Sequence, residues 1–250
     1  MLSLEERKTI ARHTMAVVGN KVPVILGAQS TDPVVTMELA RTAEEVGAYA
    51  IQLSAPYYYG PSDDDVLRLF RQTNNVLKKT GILVYNTPWH GYGIPPRVLE
   101  ELLSLDRVVA AKWATMEGGI GYMRTLARFS KELAFVDNMH MWPQSFLLGA
   151  TSFITHFASI WPEHELKVYG LLKSGQYQKA MDEMLTVYWP WIGFQGKMGG
   201  RTSGEAPPVR AAMEIVGRPG GPSRPPSRDL TAEERAELRE ILTKVGAPVA

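Results

Sequence analysis

The sequence predicts an α/β protein in which a parallel sheet is covered by helices. Three observations carry that expectation. Short apolar runs recur six times in about 155 residues, roughly one every 25, with helix-length amphipathic stretches after each of the first five except where turns intervene. The runs are continuously apolar, as parallel strands covered on both faces are. Helix caps and turn residues fall between the runs, at Gly60-Pro61-Ser62, Pro95-Pro96, Met116-Glu117-Gly118 and Trp142-Pro143.

In chain order, Ser3-x-x-Glu6 has capping-box spacing and opens a helix that Gly19 stops. Lys21–Leu26 reads as the first buried strand. Pro33–Val46 follows as a helix ended by Gly47. Further strands are expected near Ala50–Leu53, Ile82–Tyr85, Val108–Lys112, Leu133–Val136 and Ser152–Thr155. From Pro162 the strands cease. Glu163–Lys173, Tyr177–Phe194, Ala206–Val216 and Thr231–Val245 have helical patterns, the last opened by a second box, Thr231 with Glu234. The Pro/Gly-rich stretch Gly217–Pro226 reads as a stiff, extended connector. The expected organisation is a partial barrel over 1–161 and a helical extension over 162–250 packed on it as one structural unit.

Composition narrows the function classes. The 250 residues carry 27 Lys+Arg and 26 Asp+Glu, a formal net charge of +1, and no cysteine. The balance offers no nucleic-acid signal. Without cysteine there are no disulfides, thiolate metal sites or thiol nucleophiles. No apolar run approaches the ~18 residues that span a bilayer, and Met1–Lys8 is too charged for a signal peptide. No nucleic-acid or membrane partner and a cytoplasmic location are therefore expected. The five histidines lack metal-ligand spacing, so neither metal nor cofactor is expected.

Two closures fit the alternation: an open doubly wound sheet or a TM (β/α)8-type barrel. The first turn, Leu26-Gly27-Ala28-Gln29-Ser30, lacks the glycine pattern of the former. The latter needs eight strands where six are recognisable, and the chain opens on a helix; two absent βα units, about 50 residues at this spacing, would account for both.

Lys112 is the most informative residue. It ends Val108-Val109-Ala110-Ala111, a run expected to be buried on both faces. Lost hydration lowers a lysine's pKa, and a neutral lysine forms imines. It also stands at the C-terminal end of a strand, where barrels keep their catalysts. Tyr85 ends the preceding strand at the same rim, where a phenol can move protons. Tyr57-Tyr58-Tyr59 follows another strand there, suited to an active-site wall or an interface.

Tyr85-Asn86-Thr87-Pro88, Lys112 one βα unit later and Pro56-Tyr57-Tyr58 before them resemble the dihydrodipicolinate synthase / N-acetylneuraminate lyase family. Pro23–Gly27, Gly149–Thr155 and Gly221–Pro226 support the match, which runs from about Leu4 to Gly246. The resemblance implies a (β/α)8 barrel with a helical C-terminal extension, six of its strands recognisable here. It implies chemistry on pyruvate or another 2-oxo acid, with Lys112 forming the imine and Tyr85 transferring protons. Tyr58 matches the tyrosine lent to a neighbouring subunit's site, and Ile154 and Thr155 match the last strand, whose backbone faces the imine. The family is commonly a tetramer of tight dimers, so a homo-oligomer, dimer or tetramer, is expected.

Two departures follow. The family's Gly-Thr-Thr-Gly-Glu segment is not in this chain. The synthase subgroup has an arginine soon after Tyr-Asn-x-Pro, where this chain reads Trp89-His90-Gly91, and a glutamate after the lysine, where it reads Trp113. His90 and Trp113 are thus the expected substrate-binding differences. With Met139 and Met141 they suggest an apolar partner rather than a second carboxylate. The expected function is a Schiff-base lyase or aldolase on a 2-oxo acid and an aldehyde adduct. The alternatives are a hydro-lyase using the same imine, or an impaired homologue that binds a 2-oxo acid or pairs with a full-length subunit.

Overall fold

The computed structural model describes residues 2–19, 21–202 and 204–250. The chain divides into two compact units, Met1–Ile154 and Thr155–Ala250.

The first unit is a half-barrel. Its strands are β1 (Ile25–Gly27), β2 (Ala50–Ser54), β3 (Gly81–Tyr85), β4 (Val108–Trp113), β5 (Ala134–Asp137) and β6 (Ser152–Phe153). They form one sheet in sequence order, and every neighbouring pair is parallel. All six expected strands are present among the described residues. The first is shorter than Lys21–Leu26: register pairing with β2 begins at Ile25, the Val24 carbonyl already accepts from the Tyr49 amide at 3.0 Å, and Pro23 has no amide proton to extend the ladder.

Helices α1 (Leu4–Val18), α2 (Pro33–Glu45), α3 (Asp63–Val76), α4 (Pro96–Leu102), α5 (Gly118–Phe129) and α6 (Trp142–Leu147) connect or precede the strands. The Ser3/Glu6 capping box forms as expected, and a second one joins Ser62 to Asp65. Ile51, Leu53, Ile82, Val84, Ala111, Trp113 and Phe135 point to the helices and are buried with Leu39, Phe70, Leu99, Tyr122 and Leu126. Apolar burial of this kind, at ~25 cal/mol per Å², is the main term holding helices on a sheet. Glu44, near the end of α2, accepts from the amides of Lys78, Lys79 and Thr80, tying one βα unit to the next.

The opposite face is less covered. β4 reads intermediate, exposed, intermediate, buried, intermediate, buried, and Val109 is 42% exposed. The expected two-sided burial of Val108–Ala111 is therefore corrected: one face packs on helices, and the other lines the concave side of a sheet whose edge strands among the described residues are β1 and β6.

The second unit is helical: α7 (Pro162–Lys173), α8 (Tyr177–Glu183), α9 (Trp189–Thr202), α10 (Ala206–Ile215) and α11 (Ala232–Lys244). The expected single helix Tyr177–Phe194 is instead α8, a π-helical segment Met184–Tyr188 and α9. Pro190 has no N–H for the carbonyl four residues back, and a widened turn accommodates that loss. The Thr231/Glu234 box forms, and Arg228 adds two bonds of 2.8 Å to the Glu234 carboxylate. Among the described residues no helix is long and apolar enough to cross a membrane.

Candidate active site

In a parallel sheet, residues paired across strands share a face. Ser54 pairs with Tyr85, Tyr85 with Lys112, Lys112 with Val136, and Val136 with Ser152. These five residues therefore form one layer near the C-terminal rim, on the concave side. Lys112 is half-buried there, and its Nζ lies 4.1 Å from the centroid of the Tyr85 ring. An ammonium so placed meets the negative face of the ring.

This layer depends on an irregularity. Ile82 pairs with Val108, but the next residue, Leu83, pairs with Ala110. Val109 is the spare residue of a β-bulge, a feature common beside active sites. In straight register Tyr85 would pair with Ala111, and Lys112 would fall past the end of β3. Gly81 sits beside the bulge, where an added Cβ would lie 2.6 Å from a methyl of Val109.

The turn after Tyr85 is held by Asn86. Its buried side-chain amide donates to the Ala114 carbonyl at 2.8 Å, and its oxygen accepts from the Ile94 amide at 2.8 Å. The Asn86 amide donates to the Lys112 carbonyl at 3.1 Å. Pro88–His90 then forms one 3-10 turn. Trp89 packs near the Tyr85 ring (6.5 Å between centroids), and His90 near Tyr57 (6.0 Å).

Beside this turn is a cavity of about 580 Å³, walled by Tyr85, Tyr57, Thr87, His90, Ser54, Gln29 and Leu26, with Leu2 from before α1 and Arg7 and Ile10 from its first turns. Arg7 donates to the Gly27 carbonyl at 2.9 Å and to the Gln29 carbonyl at 3.2 Å. Burial lowers its guanidinium from the ordinary value, and Tyr57 acts in the opposite sense.

The expected site residues separate into groups. Lys112 and Tyr85 meet, and His90 joins Tyr85 in lining the cavity. Trp113 does not join them. Alternation along β4 turns it to the helix side, where it is buried edge-on to Phe135 at 6.3 Å; the substrate-binding role expected for it gives way to a core role. Tyr58 is 75% exposed and packs edge-on to Tyr59, while its neighbour Tyr57 lines the cavity. Ile154 extends the β6 pairing by donating to the Asp137 carbonyl at 3.0 Å. The Thr155 hydroxyl accepts from the Phe157 amide at 3.0 Å.

Arg7 and Asn86 were not among the expected site residues, whereas Tyr57, offered as an active-site wall or an interface, does line the cavity. A signal for Arg7 exists: in βα units, helices start at the rim where strands end, so the first turns of α1 border the site. Next to the lysine layer, but on the helix side, the buried Asp137 carboxylate accepts from the Tyr122 hydroxyl, the Ser145 hydroxyl and the Met139 amide. Burial, with Asp137 beside it, pushes the Tyr122 phenol well up. This network supports the end of β5 and does not face Lys112.

Comparison with known proteins adds a second line of observation. Residues 1–245 match the model of the dihydrodipicolinate synthetase family. The chain is 27% identical over 249 residues to a 4-hydroxy-tetrahydrodipicolinate synthase of Methanospirillum hungatei, covering 97% of this chain and 81% of that protein. It is 28% identical to the Acidothermus cellulolyticus protein of the same name, covering 97% and 76%. Among solved structures, a dihydrodipicolinate synthase superposes with a TM-score of 0.87 at 24% identity, covering 98% of this chain and 83% of that one. A prophage protein of the dihydrodipicolinic acid synthase family from E. coli K12, in complex with pyruvate, superposes with a TM-score of 0.85 at 22% identity, covering 98% and 83%.

Proposed function

Since the chain belongs to the dihydrodipicolinate synthetase family, we propose that it is a class I lyase or aldolase acting on pyruvate or another 2-oxo acid. In this reading the neutral amine of Lys112 adds to the 2-oxo carbonyl, and loss of water gives a protonated imine. That imine is the electron sink for making or breaking the neighbouring carbon–carbon bond through an enamine. Tyr85 moves the protons that carbinolamine formation and collapse require.

The observation that carries the reading is the pairing of Lys112 with Tyr85 on one concave layer, the amine 4.1 Å from the ring. His90, on the turn that follows Tyr85, contacts the substrate portion distant from the imine. Ile154 supplies backbone near the imine from the end of the last strand.

The same reading assigns Tyr58 to the site of a neighbouring subunit, in a cytoplasmic homo-oligomer, dimer or tetramer. What supports it is the exposure of Tyr58 (75%) and Tyr59 (80%), a large aromatic surface left on one loop. Sedimentation of wild type and Tyr58→Ala checks that part separately.

The direct experiment is borohydride reduction in the presence of pyruvate, followed by peptide mass spectrometry. A reduced adduct on Lys112 is expected. A folded protein that gives no adduct with pyruvate or a panel of 2-oxo acids, or one modified at another lysine, would overturn the proposal.

A further inference from the structure

The cavity beside Tyr85 contains a cation that imine chemistry does not use. Arg7 reaches it from the second turn of α1 and is anchored by the carbonyls of Gly27 and Gln29 at the end of β1. These two bonds engage one terminal nitrogen each, and a guanidinium has five N–H donors in a rigid fork that matches a carboxylate. Tyr85 is common to both places: it walls the cavity on one side, and Lys112 Nζ lies over its ring.

The spacing between the two cations is set by the sheet. Arg7 is held at the rim of β1, and Lys112 Nζ lies over the tyrosine of β3. The strands that anchor them, β1 and β3, are at least two strand spacings apart, ~10 Å. Allowing ~3 Å for a hydrogen bond to the guanidinium leaves at least ~7 Å from the amine to a carboxylate oxygen; this includes the C=N and C–O bonds, so a chain of about four or more bonds joins the imine carbon to the far carboxyl. The cavity of about 580 Å³ has the size of sites for ligands well beyond three carbons. Its walls include Leu26, Ile10 and Tyr57, which suit a methylene chain.

We propose that Arg7 is a substrate-binding residue that receives a carboxylate at the far end of an elongated 2-oxo acid whose carbonyl is held at Lys112. This rests on the imine reading. It revises the expectation of an apolar partner: the cation absent after Tyr-Asn-Thr-Pro is supplied from α1, and apolar residues line the same cavity.

The test is competitive borohydride trapping with two acids of equal length, 2-oxosuberate and 2-oxooctanoate, which differ in the terminal carboxylate. Wild type should trap the dicarboxylate at Lys112 at least tenfold more, the range of one charge-assisted hydrogen bond or more. In Arg7→Gln the ratio should fall to about one, with Arg7→Lys between. A wild-type ratio near one overturns the proposal. So does an unchanged ratio in Arg7→Gln, because loss of a merely structural anchor weakens both acids alike. Should wild type trap no oxo acid, the imine reading fails by itself. Suberate, which has no oxo group, then decides the Arg7 site by thermal shift: stabilisation of wild type but not of Arg7→Gln supports it, and no stabilisation of wild type overturns it.

Discussion

Lys112 and Tyr85 are paired across adjacent parallel strands, and the lysine's amine rests 4.1 Å from the centre of the tyrosine ring. The ring is thus both a support for the amine and the bearer of a hydroxyl. Substitutions can separate these two contributions.

Lys112→Ala should abolish the borohydride adduct with pyruvate and all turnover. The side chain is half-buried at the rim rather than in the core, so far-UV circular dichroism should remain that of wild type. Retained adduct at another residue would place the nucleophile elsewhere.

Tyr85→Phe keeps the ring under the amine and removes only the phenol. Turnover should fall by ~10²–10⁴, the usual worth of a positioned proton donor or acceptor. End-point trapping of pyruvate on Lys112 should still be reached given time. Turnover within a few-fold of wild type would remove the proton-transfer role.

Asn86→Ala strips two buried backbone groups, the Ala114 carbonyl and the Ile94 amide, of their partner. Each unsatisfied group costs about 1–3 kcal/mol. Urea unfolding should show a loss of ~2–6 kcal/mol, and trapping at Lys112 should slow, since the same turn carries Tyr85. A loss under 1 kcal/mol would mean that water replaces the asparagine.

The Arg228 fork on Glu234, together with the Thr231 amide, holds the Glu234 carboxyl at about 2, below its usual 4.5. A depressed carboxyl stabilises the fold fully above the unfolded value. That contribution therefore fades as pH falls from about 4.5 towards 2. Thermal melts at pH 6 and pH 3 should lie further apart for wild type than for Glu234→Gln. Equal separations would show that the pair does not contribute to acid stability.

Much of the scaffold is legible in the sequence because its signals are local. The boxes at Ser3/Glu6 and Thr231/Glu234 satisfy helix amides within three residues of each other, and both form. Lys112 and Tyr85 are legible because each closes an apolar run. What is not legible depends on neighbours distant in the chain. The bulge at Val109 arises from pairing with β3 and leaves no local mark. Arg7 lies in an ordinary amphipathic helix, and only the fold brings it 2.9 Å from the carbonyl of Gly27. Trp113 is a different case. Strand alternation alone turns it away from Lys112, and the expectation that put it at the substrate read its place in a motif without its side of the strand.

The bulge also determines how length changes upstream propagate. Val109 is a spare residue between the turn at Asp106–Arg107 and the pairs Leu83 with Ala110, Val84 with Ala111 and Tyr85 with Lys112. It acts as slack in the chain. A homologue one residue shorter before Ala110 can straighten the strand and leave those three pairs intact. An insertion or deletion after Lys112 has no such reserve in β4. Upstream loops can therefore vary in length while the amine keeps its partner.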